Sequence, residues 1–127
     1  ANQVTETIPV GKSPEGIAVN SDSRLALVAN SGDNSVSVID LNNRRVIKTL
    51  TVGRHPRQIA IDPSHNLALI VNEEDRSVSV IDLGTLEVTG LVRVGKKPRA
   101  IDVNPETHIA AVVNEKDNSV TVIDLTN

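Results

Sequence analysis

Ser35-Val36-Ser37-Val38-Ile39-Asp40-Leu41 returns as Ser77-Val78-Ser79-Val80-Ile81-Asp82-Leu83 and, with one Ser→Thr exchange, as Ser119-Val120-Thr121-Val122-Ile123-Asp124-Leu125. The copies stand 42 residues apart, as do Val10-Gly11, Val52-Gly53 and Val94-Gly95, the prolines Pro14, Pro56 and Pro98, and the asparagines Asn30, Asn72 and Asn114. No insertion or deletion breaks the register, so the chain is an array of equivalent units. A unit of that length with several short apolar runs is the size of one four-stranded propeller blade. A helical repeat would bring apolar residues back every third or fourth position, and these units alternate instead.

Four strands can be placed in a unit. An inner strand follows a proline loop at Gly16 to Val19, Gln58 to Ile61 and Ala100 to Val103. Turn clusters come next: Asn20-Ser21-Asp22-Ser23, Asp62-Pro63-Ser64-His65 and Asn104-Pro105-Glu106-Thr107. The second strand, Leu25 to Ala29, Leu67 to Val71 and Ile109 to Val113, is apolar throughout and reads as buried on both faces. The Ser-Val-Ser-Val-Ile-Asp motif is the third. Val46 to Val52 and Val88 to Val94 alternate with polar residues and form the outer, fourth strand.

Composition narrows the function classes. The chain has 127 residues, 13 basic and 16 acidic, with a net charge of -3, so no global field recruits nucleic acid or an anionic membrane. No apolar run is long enough to insert in a bilayer as a helix. Cysteine is absent, which removes disulfides, thiolate metal sites and cysteine nucleophiles. Phe, Trp, Tyr and Met are absent too, so Val, Ile, Leu and Ala build the core. Without aromatics, base-stacking and sugar-stacking platforms are disfavoured.

The phase of the repeat at its ends predicts an assembly. Residues 3–10 align with the fourth strand, residues 11–52 and 53–94 are whole blade units, and residues 95–127 carry three strands. Rings hold about four to eight blades. Three are too few to close, and the expectation is an all-β half-propeller. It would be completed to six blades by a head-to-tail homodimer in which the first strand of each chain finishes the other's last blade. The alternative is a piece of a longer propeller whose other blades are missing.

The phrases Thr7-Ile8-Pro9-Val10-Gly11, Pro14-Glu15-Gly16-Ile17-Ala18-Val19, Leu27-Val28-Ala29-Asn30 and Ser35 to Asp40 resemble the Tyr-Val-Thr-Asn (YVTN) β-propeller repeat family. The eponymous tyrosine is here Leu27, Leu69 and Ala111. The resemblance implies a scaffold or binding module of the cell surface, periplasm or extracellular space, with no universal active site and no cofactor. Fold alone licenses no chemistry.

Repeated residues read first as framework. Asp40, Asp82 and Asp124 would cap the turn after the third strand, and Gly11, Gly53 and Gly95 would supply a positive φ or a close approach. The repeated asparagines would bond loop backbone. Loops between fourth and inner strands gather Lys12, Arg54, His55, Arg57, Lys96, Lys97 and Arg99 into a basic collar at the channel mouth. That collar would bind a carboxylate, phosphate or acidic polymer, or be neutralised by Asp33, Glu73, Glu74, Asp75, Glu115 and Asp117. Asp102 replaces Ala18 and Ala60, and a partly buried charge there would pair with Arg57 or Arg99, or else join the collar as a ligand-binding group. His65 and His108 fall in turns on the opposite side, and no metal-ligand spacing links them in sequence. A non-enzymatic interaction module is the first expectation, an anion binder the second, and a propeller enzyme of lactonase or dehydrogenase type the weakest.

Overall fold

A computed structural model describes residues 2–126. Its eleven strands are β1 (Pro14–Asn20), β2 (Leu25–Asn30), β3 (Ser35–Asp40), β4 (Arg45–Thr51), β5 (Pro56–Asp62), β6 (Leu67–Asn72), β7 (Ser77–Asp82), β8 (Glu87–Arg93), β9 (Pro98–Asn104), β10 (Ile109–Asn114) and β11 (Ser119–Asp124). They form three antiparallel meanders, β1-β2-β3-β4, β5-β6-β7-β8 and β9-β10-β11. The 42-residue period is kept to the level of register: Leu25 faces Asp40, Leu67 faces Asp82 and Ile109 faces Asp124.

Side-chain alternation sends one face of each sheet forward along the array and the other back. Leu27, Ala29, Val36, Val38 and Leu50 of the first sheet pack on Ile59, Ala68, Ile70, Ile81 and Leu83 of the second. Leu69, Val71 and Val78 repeat that contact one unit later with Ala110 and Val112. A buried side chain of this kind stabilises the fold by about 1.5–3 kcal/mol. Aliphatic residues suffice because the middle sheet is packed on both faces, by the first sheet and by the third.

β2 and β6 are buried on both faces, as their unbroken apolar runs imply. β10 is not: Ala111 and Val113 are exposed while Ala110 and Val112 are buried. The cause is position, since no further sheet packs beyond the third within the chain. Residues 3–10, which align with an outer strand, carry no strand pairing here. Ile8 and Val10 nonetheless pack with Ala26, Val28 and Ile39 on the first sheet. Leu50 and Val52 hold the same relation to the second sheet, and Val92 and Val94 to the third.

Framework polar groups are largely as the repeat suggests. Asp40 Oδ1 accepts the amides of Asn42 and Asn43, and Asp82 Oδ1 those of Gly84 and Thr85. The repeated asparagines reach across the sheet, and Asn114 also bonds loop backbone as expected, its Oδ1 accepting the Gly95 amide at 3.1 Å. Asn72 Nδ2 donates to Ser77 Oγ at 3.1 Å and Ser79 Oγ at 2.9 Å, and Asn30 and Asn114 do the same in their sheets. Of the two roles expected for the glycines the close approach is the one found, since none has a positive φ. A Cβ on Gly53 would instead stand 2.7 Å from Asn72 Cγ and 2.6 Å from Asp75 Oδ2. The left-handed backbone falls to other residues, among them Ser13, His55 and Lys97.

Candidate functional site

The loops preceding β1, β5 and β9 and those following β2, β6 and β10 meet at one end of the array. Acidic residues of the second set hold the first by backbone: Asp33 accepts from the Lys12 amide, Asp75 from the Arg54 amide and Asp117 from the Lys96 amide, at 2.8 to 2.9 Å. Arg54 Nε also reaches Asp75 Oδ1 at 2.8 Å. These bonds from the Arg54 side chain and amide hold the Asp75 carboxyl below its ordinary value, against the opposing effect of desolvation.

Along the inner strands the collar becomes a ladder of alternating charge. Glu15 lies 3.6 Å from Arg57, Arg57 3.1 Å from Glu73, Glu73 3.3 Å from Arg99, and Arg99 3.0 Å from Glu115. Glu73 is buried, so its two arginines spare it an uncompensated charge. His55 sits among Glu15, Glu73 and Glu74 at 3.2 to 3.7 Å, and Lys97 is 3.8 Å from Glu115. A hydrogen bond from Ser31 chiefly, with help from Arg57, His55 and Arg99, keeps Glu15 below its ordinary value despite desolvation. The neutralised form of the collar is therefore the one adopted by Arg54, His55, Arg57, Lys97 and Arg99.

Two collar lysines differ. Lys12 and Lys96 form no side-chain ion pair among the described residues. Lys96 lines a shallow hollow of about 450 Å³ with Arg54, Arg76, Lys97, Lys116, Glu73 and Glu74. Asp102 corrects the expectation of a buried pair. It is exposed on the forward side of β9, and its carboxylate accepts the Val103 amide at 3.0 Å rather than meeting Arg57 or Arg99. Ala18 faces the second sheet from β1, but the same face of β9 meets no further sheet, so the charge stays in solvent.

A family model described as "Lactonase, 7-bladed beta-propeller" matches residues 2–85. The chain belongs to this family. Solved structures agree on the architecture. Hydrazine synthase of Kuenenia stuttgartiensis superposes with a TM-score of 0.86 at 25% identity, over 99% of this chain and 36% of the other. The β-propeller domain of Myceliophteria thermophila Cps50 (Swd1) gives 0.81 at 18% identity, over 97% and 37%. The chain thus spans little more than a third of either neighbour. No curated protein matches it in sequence.

At the opposite end, this lactonase-family propeller assembles a group that sequence order conceals. Asp62 ends β5, His65 lies in the turn that follows, and His108 comes from the turn between β9 and β10. One ligating atom from each lies within 4.8 Å of the others. Asp62 is buried; its Oδ2 is 2.7 Å from His65 Nδ1, and its Oδ1 accepts from the amide and hydroxyl of Ser64. Hydrogen bonds from Ser64 and His65 keep its carboxyl low even though burial, the largest single influence, pushes it up. Ser64 Oγ is also 3.3 Å from His108 Nδ1, and the two imidazoles meet edge to face with centroids 4.6 Å apart.

The two histidines, which no ligand spacing links in sequence, thus meet through the stacking of the second and third sheets. The signal that could have found them is loss of the repeat, since position 62 is Asn in the other units, 65 is Ser or Thr, and 108 is Arg or Asn. Serine, histidine and aspartate are all present, yet the serine stands between the other two. A nucleophilic triad needs the histidine in the middle, so this is not one.

Proposed function

We propose that the chain is a non-catalytic propeller scaffold that completes a ring with a second copy of itself and offers its loops for protein interaction. The observation that carries this reading is the match between its two open faces. Ala111, Val113, Val120 and Val122 of the third sheet are the 42-residue equivalents of Leu69, Val71, Val78 and Val80, which pack on the next sheet. Here Val120 is 58% and Val122 65% exposed. At the other end Ile17, 65% exposed, is the equivalent of buried Ile59. Exposed aliphatic faces of this extent mark an interface. They are the two halves of a contact made twice inside the chain.

The terminal segment supports the same pairing. Ile8 and Val10 already lie on the first sheet as fourth-strand residues do, without a third strand beside them. β11 is a third strand without a fourth. Carrying the β3–β4 register over puts Val120 of one copy opposite Ile8 of the next, and Val122 opposite Glu6. Two copies supply six blades and three supply nine. The family's seven is no multiple of three, so a seven-bladed ring would need blades from further polypeptide.

Light scattering of the purified chain tests the reading, with a dimer expected and a monomer on introducing Val122→Arg. Because the chain has no cysteine, Glu6→Cys with Val122→Cys should yield a covalent dimer under oxidation. A stable wild-type monomer would sink self-closure. The resemblance of the repeats to the YVTN family favours an extracellular, surface or periplasmic setting.

A second reading is favoured by the hollow bearing Arg54, Arg76, Lys96, Lys97 and Lys116 against only Glu73 and Glu74. Arg54 and Lys97 are paired with Asp75 and Glu115, but Arg76, Lys96 and Lys116 form no ion pair among the described residues and suit an anionic ligand. Binding of inorganic phosphate or a polyacidic peptide that survives Lys96→Ala with Lys116→Ala would count against it. Lactone hydrolysis, which the family's description brings to mind, is the weakest reading and is checked by turnover on a lactone panel.

A further inference from the structure

We infer that Asp62, His65 and His108 bind one divalent ion of the zinc class at the junction of the second and third sheets. The inference is independent of ring closure, because all three ligands belong to one chain. Each residue departs from its repeat siblings, and the three departures converge although two of them are 43 residues apart. Isolated surface substitutions have no reason to meet in this way.

The donor set selects the ion. Two imidazoles and one carboxylate suit Zn²⁺, Co²⁺ or Ni²⁺, whereas Ca²⁺ and Mg²⁺ ask for oxygen ligands. Around a tetrahedral zinc with ligands about 2.0–2.2 Å away, donor atoms are separated by roughly 3.3–3.6 Å. The observed group brackets that spacing: the His65–Asp62 contact of 2.7 Å must open and the widest separation, within 4.8 Å, must close. His65 is exposed on its turn and His108 is half-buried, so rotation of the two rings can make both adjustments. Asp62 is the fixed member, held by Ser64 at the buried end of β5. The same Ser64 hydroxyl reaches His108, which gives the site an outer hydrogen bond that orients a ligand. Three protein donors leave a fourth position toward solvent, filled by water.

The consequence for the fold is a clamp between two turns that no backbone ladder joins, β5–β6 and β9–β10. An ion bound only by the folded chain raises stability in proportion to the logarithm of its concentration.

The test is calorimetric titration of ZnCl2 into the untagged full chain, with Co²⁺ absorption as a second readout. The repeat supplies variants that fold: Asp62→Asn, His65→Ser and His108→Asn each install the residue a sibling turn already carries. One ion per chain is expected, with tetrahedral Co²⁺ bands, a Zn²⁺-dependent rise in thermal midpoint, and at least about tenfold weaker binding in each variant. His55→Gln, at the other end, should leave the affinity unchanged. Absence of saturable binding overturns the site. Retention of wild-type affinity by the sibling variants, or loss through His55→Gln, does the same.

Discussion

The His55 amide donates to Asn34 Oδ1 at 3.0 Å, joining the loop before β5 to the turn after β2. One unit later the corresponding pair is Lys97 and Arg76, and arginine offers the amide no acceptor. Arg76 also holds a left-handed backbone with φ 53°, as Asn34 does with φ 56° and Asn118 with φ 49°. Asparagine tolerates that conformation better than arginine. Arg76→Asn should therefore stabilise the chain by about 1 kcal/mol, from lower strain and one added hydrogen bond. Calorimetric midpoints of wild type and variant provide the check; an unchanged or lowered midpoint would show that the missing bond is supplied in another way.

Glycine identity carries a sharper contrast. Gly16 is buried where β1 packs beside β5, and a Cβ there would lie 1.9 Å from the Arg57 carbonyl oxygen, a backbone atom that cannot swing aside. Gly90 sits in β8 with its nearest neighbour, Val80 Cβ, at 3.7 Å, an ordinary contact. Gly16→Ala should cost about 2–3 kcal/mol or more by forcing the first two sheets apart. Gly90→Ala should stabilise by about 0.5–1 kcal/mol through a less flexible unfolded strand. Denaturant midpoints of the two variants should move in opposite directions.

The architecture was legible because it is periodic. A phrase such as Ser-Val-Ser-Val-Ile-Asp, returned three times, fixes strand, face and register together, and one local misreading cannot displace the rest. What escaped were contacts between units. The Asp62–His65–His108 group is invisible to spacing, since its members meet by the stacking of sheets rather than along the chain. Asp102 was misplaced for the related reason that no further sheet packs on that face of β9 within the chain. The ladder was half legible: charges of both signs at the mouth were apparent, but not that Glu73 would be buried between Arg57 and Arg99.

That ladder makes a stability prediction. Glu73 is 8% exposed and contacts both arginines, which are themselves 25% and 34% exposed. Removing both with Arg57→Ala and Arg99→Ala leaves a buried carboxylate with only the His55 imidazole, 3.7 Å away, beside it. The loss should be about 2–3 kcal/mol, below the cost at a fully buried pair because solvent reaches the arginines. Adding Glu73→Gln should recover most of it, since a neutral amide tolerates the site. If the triple variant is no more stable than the double, Glu73 is not what the arginines support.

Acid should act through Asp75. The Arg54 side chain and then its amide lower this carboxyl from its ordinary value of 3.8, so the folded form holds its proton less tightly than the unfolded chain. A group depressed in the folded state contributes stability that is fully present above the unfolded value and is lost as pH falls through the folded one. The thermal midpoint of wild type should therefore exceed that of Asp75→Asn by a constant margin near neutrality. The margin should narrow only once pH drops below about 3.8, because protonated Asp75 then resembles the amide. Glu15 and Asp40 are lowered too and steepen the acid limb of both proteins alike, so the difference between them isolates Asp75. Midpoints recorded from pH 7 downward decide the matter: a margin that closes well above 3.8, or never closes, would contradict control by the Arg54–Asp75 contact.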